Sequence, residues 1–277
     1  LILLPDAAET PESYAGLGAD SPRAKALRAW VASGLQVLIP TLLDRGRRWS
    51  GNPDLATRHP AVPATLDQSH REWIWRQAFH MGRHPMGYEV QEVLAGVDWI
   101  GQRFGTNSPV AVAGYGEGAA IALYAAACDP RISATLVSGY FTDRQGLWSE
   151  PIDRNVWSLL KEFGDAELVS LVAPRAVLIE HASFPSVNGE KGGISTPEPR
   201  IVRTEFERIE SLIPNNFQKR RLLTGPDWGT VAMPLTDSLS NLVLTLGPYT
   251  FAPAAVSAPP THHRKNFNAQ DRMKRLR

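Results

Sequence analysis

The sequence predicts an α/β fold with a mostly parallel sheet that is covered by helices on both faces. Short apolar runs alternate with helical patterns through most of the 277 residues. The runs are bounded by Gly, Pro or Asp and carry little charge, which is typical of buried strands. We predict strands at 1–5, 36–40, 110–114, 132–138, 176–181 and 219–224.

Helical periodicity predicts the elements that cover this sheet. Ser21-Pro22 places a capping residue before a proline at the first helical position. Between 87 and 104 the apolar residues recur every three or four positions, as on one face of a helix. We predict helices near 22–33, 87–104, 117–128, 154–172, 200–213 and 236–246.

The two ends of the sequence differ in character. Residues 1–4 are Leu-Ile-Leu-Leu, the pattern of a strand already under way, so we expect the first strands of the sheet to lie upstream. We predict one domain over 1–250. Residues 251–277 are a Pro-rich linker and a basic tail, typical of a connection to further domains or of a frayed end.

Composition excludes several classes of partner. The formal net charge is +1, which favours neither a nucleic acid nor an anionic membrane surface. No apolar run approaches the roughly 20 residues that span a bilayer. Cys128 is the single cysteine, so no internal disulfide forms, and the compartment stays undetermined. We expect this thiol to be buried as a small apolar group.

A segment at about 44–86 interrupts the alternation and is interpreted as an insertion or lid. Its Trp49, Trp73 and Trp75, together with Tyr88, could line a sugar- or aromatic-binding cleft. The favoured alternative is that these rings pack the insertion onto the domain, because aromatic residues dominate cores as well as interfaces.

Two histidines of the same segment raise the question of a metal. His80 and His84 are four residues apart and would share one face of a helix. A zinc site needs a third ligand and supporting contacts, and Pro85 indicates that the helix ends there. A solvent-facing or capping role is therefore favoured over metal binding, and we expect no cofactor.

The most informative motif is Gly114-Tyr115-Gly116-Glu117-Gly118, which lies between a buried strand and an alanine-rich helix. A nucleophile elbow has this context: a sharp, strained strand-to-helix turn with small residues on either side of the nucleophile. The flanking positions match, but the nucleophile position is Gly116, which has no side chain.

The chain resembles the dienelactone hydrolase and acetyl xylan esterase-like branch of the α/β-hydrolases. Asp129-Pro-Arg-Ile132 resembles the link that follows the elbow helix, and Leu171-Val-Ala-Pro-Arg175 resembles the stretch before the next strand. The stretch from Tyr88 to Ile100, which ends in Val-Asp-Trp-Ile, resembles the helix before the elbow strand. The resemblance covers roughly residues 1–246 and implies an α/β-hydrolase fold. It also implies a small-molecule ester or carbohydrate ligand.

The resemblance also implies three catalytic side chains, and all three positions are vacant. The nucleophile position is glycine, the turn at 182–187 that should carry the acid has no carboxylate, and 224–234 has no histidine. Loss of one triad member costs roughly four to six powers of ten in rate. The standard mechanism is therefore predicted to be absent.

A few groups could support a residual activity. Glu180 and His181 end a predicted strand, where only one of two neighbours can face a pocket. Glu180 could act as a general base, although a structural hydrogen bond is favoured. The backbone N–H of Glu117 would form half of an oxyanion hole, while its side chain suits the helix dipole.

Three hypotheses follow. The first is a hydrolase-fold protein that has lost Ser-His-Asp catalysis and acts as a binding or structural domain. The second is an active carboxylic-ester hydrolase, acting on a carbohydrate ester or lactone, with a non-standard set around Glu180. The third is a metal-dependent site at His80 and His84.

Overall fold

Five parallel strands form one sheet in the order β1-β2-β3-β4-β5. The computed structural model describes residues 1–17, 21–46, 68–187, 192–213 and 217–246. The predicted α/β class is confirmed. The strands are β1 (Ile2–Leu4), β2 (Val110–Tyr115), β3 (Ile132–Ser138), β4 (Ala176–Glu180) and β5 (Arg220–Leu223).

Nine α-helices connect these strands within the described residues. They are α1 (Pro11–Ala15), α2 (Pro22–Ala32), α3 (His70–His80), α4 (Pro85–Phe104), α5 (Glu117–Cys128), α6 (Leu159–Glu162), α7 (Asp165–Val172), α8 (Pro199–Leu212) and α9 (Thr236–Leu244). Five of the six predicted helices form with their ends shifted by at most two residues. Ser21 caps α2 as predicted, since its side chain accepts from the Ala24 N–H at 3.1 Å.

Two predicted elements were wrong. Residues 36–40 make only a single bridge, between Ile2 and Leu38, and Pro40 has no N–H with which to extend the ladder. The helix predicted over 154–172 is broken into α6 and α7, because Gly164 is extended and its N–H is taken by the Glu167 side chain. The short helix α1 was not predicted.

The sheet separates two apolar cores. Alternate residues of β2 point to opposite faces, so Val110 and Val112 enter one core while Ala111 and Ala113 enter the other. The first core is completed by α4, α5, α7 and α8, and the second by α2 and α9. Helices on both faces were predicted and are confirmed.

Helix α5 lies unusually close to the sheet, and two glycines permit this. A Cβ on Gly114 would lie 2.1 Å from the Gly118 carbonyl oxygen, and a Cβ on Gly118 would lie 2.3 Å from the Leu4 carbonyl oxygen. Both positions therefore require glycine, as expected for a turn in which strand and helix approach closely. Cys128, at the far end of α5, is exposed and not buried as predicted.

The predicted insertion is only partly described. Residues 47–67 lie outside the described part of the chain, whereas α3 belongs to the insertion and was not predicted as a separate element. The proposed linker and tail at 251–277 also lie outside it. Across the described residues, every helix is too short or too polar to cross a membrane.

The close approach of α5 can be tested with two glycines. Gly118→Ala should lower the free energy of unfolding by about 1–3 kcal/mol, because its Cβ would overlap a backbone oxygen. Gly87→Ala in α4 is the control, since its Cβ would meet nothing within 4 Å. There the gain in helix propensity should stabilise by up to about 1 kcal/mol. Urea unfolding measures the free energy of unfolding of both variants. Equal changes in the two would contradict the close packing of α5 on the sheet.

Candidate functional site

The strand–turn–helix at 110–128 has the geometry of a nucleophile elbow. β2 ends at Tyr115, α5 begins at Glu117, and Gly116 between them has φ 56° and ψ −117°. A positive φ is strained for residues with a side chain. The Gly116 N–H donates to the Ser138 carbonyl of β3 at 3.0 Å, which fixes the turn at the carboxyl edge of the sheet.

The space above Gly116 is filled by other parts of the chain. A Cβ on Gly116 would lie 2.4 Å from Asp6 Oδ1 and 2.4 Å from Pro185 Cγ. Asp6 follows β1 and is only 1% exposed. Pro185 belongs to the turn after β4, and Tyr115 holds that turn by donating its hydroxyl to the Ser183 carbonyl at 2.8 Å. The position of the expected nucleophile is therefore closed.

The oxyanion position is occupied by the same carboxylate. The Glu117 N–H, at the start of α5, donates to Asp6 Oδ1 at 2.9 Å. Asp6 Oδ2 accepts from the Ala8 N–H at 2.9 Å and from Arg45 Nη1 at 2.6 Å. An anion at a helix N-terminus is favoured by the free N–H groups and the helix dipole. Here the chain supplies that anion itself.

The Glu117 side chain points away from the turn into a set of arginines. Its carboxylate is fully buried and lies 2.6 Å from Arg45 Nη2, 3.3 Å from Arg154 Nε and 3.5 Å from Arg71 Nη2. Burial alone would raise the pKa of Glu117, but the charges of these arginines outweigh it and lower that pKa to about 2. Glu117 is thus held as an anion.

These contacts belong to a larger group that we call the buried ion cluster. Arg71 is 0% exposed and binds Glu89 through both terminal nitrogens at 2.6 Å. Glu150 links Arg154 at 2.9 Å to Arg144 at 3.2 Å. The cluster comprises Asp6, Arg45, Arg71, Glu89, Glu117, Arg144, Glu150, Asp153, Arg154 and Asp165. Sequence analysis did not find it.

Glu180 is engaged in structural hydrogen bonds. Its carboxylate accepts from Ser138 Oγ at 2.5 Å, from the Leu235 N–H at 2.9 Å and from Ser238 Oγ. The last two residues lie at the start of α9, on the face of the sheet opposite to α5. Glu180 is therefore placed to cap α9.

His181 lies beside Glu180 in the chain and points elsewhere. It is 2% exposed, and its Nδ1 lies 3.3 Å from the Trp228 carbonyl in the turn after β5. Its Nε2 is buried, and no described residue hydrogen-bonds to it. Glu180 and His181 make no contact that would couple them as acid and base.

The predicted aromatic cleft is not assembled by the rings that the structure describes. Trp75 is 8% exposed, stacks on Phe79 at 5.2 Å and has its Nε1 3.0 Å from His84 Nε2. It packs α3 onto the domain. Trp73 and Tyr88 are exposed, and Trp49 lies outside the described residues.

The two histidines of the suggested metal site lie on different elements. α3 ends at His80, whereas His84 caps α4 by accepting the Met86 N–H on Nδ1 at 3.1 Å. The two side chains therefore do not share the helical face that the metal alternative requires, and His84 has a capping role. Among the described residues, no group of three or more His, Cys, Asp or Glu side chains could hold a metal.

Comparisons with known proteins bear on the fold. No family profile matches the chain, and no curated protein matches it. Among solved structures, a Bacteroides fragilis protein provisionally assigned as an acetyl xylan esterase matches with a TM-score of 0.51 and 13% identity. The match covers 80% of this chain and 57% of that protein, so the chain spans little more than half of its relative.

Two further structures are less similar. A glucuronoyl esterase of the CE15 class from Teredinibacter turnerae has a TM-score of 0.49 and 13% identity, covering 88% of this chain and 65% of that one. A promiscuous CE15 esterase from a marine bacterial metagenome has a TM-score of 0.48 and 14% identity, covering 88% and 72%. The chain has an α/β-hydrolase-like fold, as the resemblance implied.

The charge on Glu117 should dominate the stability of this region. Glu117→Gln breaks the buried ion pairs that Glu117 makes with Arg45, Arg71 and Arg154, and should cost about 3–5 kcal/mol at pH 7. Because the folded-state pKa is lowered, this stabilisation exists above about pH 4.5 and is lost as pH falls towards 2. Glu207→Gln, which removes an exposed pair with Arg203, is the control and should cost about 0.5 kcal/mol or less. Urea unfolding from pH 7 to pH 2 measures the free energy of unfolding of both variants. Similar losses of stability in the two variants would contradict the buried, charged state of Glu117.

His84 should make stability depend on pH in a higher range. Burial lowers the pKa of His84 to about 4, below the value of about 6.5 in an unfolded chain. The unfolded state therefore binds a proton first, and stability falls as pH drops from 6.5 to 4. His84→Asn keeps a capping side chain without titrating, so the slope of unfolding free energy against pH should flatten. An unchanged slope, or the same change in His80→Asn at the exposed end of α3, would refute this.

Proposed function

We propose that this chain is a non-catalytic α/β-hydrolase-fold domain that acts through binding or structural support. One observation carries the proposal: the Asp6 carboxylate occupies both the space above Gly116 and the N–H that would stabilise an oxyanion. A substrate carbonyl would have to displace a buried carboxylate that is also paired with Arg45. Such a displacement breaks a buried ion pair and leaves the Asp6 carboxylate without its partners.

The same geometry argues against a simple repair of the elbow. A serine at position 116 would place its Cβ against both Asp6 and Pro185. It would also lack a partner base, since 224–234 holds no histidine and the described contacts of His181 lead to Trp228. The alternative set around Glu180 has little support, because three donors already occupy that carboxylate.

Hydrolysis of p-nitrophenyl acetate and butyrate tests the proposal directly. Purified wild-type protein should give background rates, and a fluorophosphonate probe, which labels activated serines, should leave it unlabelled. Gly116→Ser should also stay at background, because loss of the remaining triad groups costs roughly four to six powers of ten.

A Glu180→Gln variant, purified in parallel, separates real turnover from contamination. Turnover in the wild type that falls by at least about a hundredfold in Glu180→Gln would overturn the proposal in favour of a relocated general base. Circular dichroism of each variant controls for unfolding. If all three proteins show the same rate and the fluorophosphonate abolishes it, the activity belongs to a contaminating serine esterase. The wild-type protein itself then has only the background rate.

The fold gives a class of ligand to try first. The Bacteroides fragilis structure is named for acetylated xylan, and a domain descended from such a fold would retain carbohydrate or small esters as its ligands. A domain can keep such a ligand without the chemistry, because the residues of a site and not the fold decide what the domain does.

A further inference from the structure

In the segment between β3 and α7, charged side chains are buried and large aromatic side chains are exposed, which is the reverse of the usual arrangement. We call residues 143–163 the tryptophan segment. Its Arg144, Asp153 and Arg154 are at most 5% exposed, whereas Trp148 is 85% exposed and Trp157 is 78% exposed. Charged residues are almost never buried and tryptophan is usually well covered, so this reversal calls for a reason.

The buried charges fix the backbone from which the two indoles project. Arg144 donates to Asp165 at 3.1 Å and lies 3.7 Å above the Tyr140 ring, while Arg154 is anchored in the buried ion cluster. Arg144 and Ser158 both have positive φ, at 56° and 66°. Non-glycine residues keep such strain only where the surroundings enforce it, which occurs most often at functional sites. The indoles are thus displayed from a rigid support.

A small cavity adjoins Trp148. Its volume is about 220 Å³, below the range of roughly 300–1,000 Å³ typical of sites for drug-sized ligands. One part of its lining is apolar and consists of Leu147, Trp148, Val156 and Leu160. The other part is polar and exposed, and consists of Gln145, Asn155, Ser158 and Lys161. The site suits a small ring with one apolar face and several polar edges.

A sugar ring has this division. Its C–H face packs on an aromatic ring, and its hydroxyl groups pair with amide, hydroxyl and ammonium groups. An apolar peptide would cover Trp148 but make no use of the four polar side chains, whereas sugar hydroxyls can hydrogen-bond to them. We propose that the tryptophan segment binds an oligosaccharide, with one pyranose ring stacked on Trp148 in the cavity and a second unit on Trp157, which is exposed on the same segment outside the cavity lining.

Among the described residues, neither indole has a ring-stacking or hydrogen-bonding partner that a ligand would have to displace. The inference deepens the proposed binding role and rests on it, but it involves none of the groups at the elbow. Glycan binding and ester turnover can therefore be measured on the same preparation and judged separately.

Native affinity electrophoresis provides the test. Wild-type protein is run in gels that contain arabinoxylan, mixed-linkage β-glucan or polygalacturonate, with serum albumin as a non-binding reference. We expect retardation in at least one gel that persists in 0.5 M salt, where simple charge attraction is screened. Trp148→Ala should weaken the affinity at least tenfold, Trp148→Phe less, and Trp157→Ala by about threefold.

Trp99→Ala is the matched control. Trp99 is 49% exposed on α4 and contacts Phe104 edge-on, in a different part of the fold. Its removal should leave retardation unchanged, and thermal unfolding confirms that each variant is folded. No retardation in any of the three gels, or an equal loss in Trp99→Ala and Trp148→Ala, would overturn the glycan site. Ester turnover with binding that depends on Trp148 would overturn the non-catalytic role alone.

Discussion

A single buried carboxylate, that of Glu117, organises the carboxyl edge of this domain. It lies at the start of α5 and meets arginines from three separate parts of the chain: Arg45, Arg71 and Arg154. An unpaired charge in this position would be prohibitively costly. Arg45 and Arg71 of the insertion and Arg154 of the tryptophan segment supply the charge that this carboxylate needs, so both segments are tied to the start of α5.

Glycine at position 116 and aspartate at position 6 depend on each other. The carboxylate can reach the first N–H of α5 only because no Cβ stands above the turn. Once there, it pairs with Arg45, which is shared with Glu117. A serine at position 116 would break this arrangement without supplying a base or an acid. The strand-to-helix crossing needs a positive φ at this position, and glycine adopts it without strain.

Local patterns predicted most of the sheet and helices, and the glycine motif predicted the elbow. Contacts between residues that are distant in sequence could not be predicted from local patterns. Asp6 and Glu117 are 111 positions apart, and no periodicity pairs them. The exposure of each aromatic ring could not be predicted for a related reason. Trp75 of the insertion is 8% exposed, whereas Trp148 is 85% exposed. Which tryptophan is buried depends on the contacts that place its backbone, including the buried ion cluster, and composition does not reveal these contacts.

The buried ion cluster couples the closed elbow to the tryptophan segment. Six carboxyl groups face four guanidinium groups, an excess of negative charge that an apolar interior opposes. Burial raises the pKa of both Asp153 and Asp165, the direction that reduces this excess. These two residues flank the stretch that carries Trp157. Asp153 and Arg154 of the tryptophan segment therefore belong to the same set of contacts as Asp6, which fills the space above Gly116, so the closed elbow and the backbone that carries the indoles depend on one charge balance.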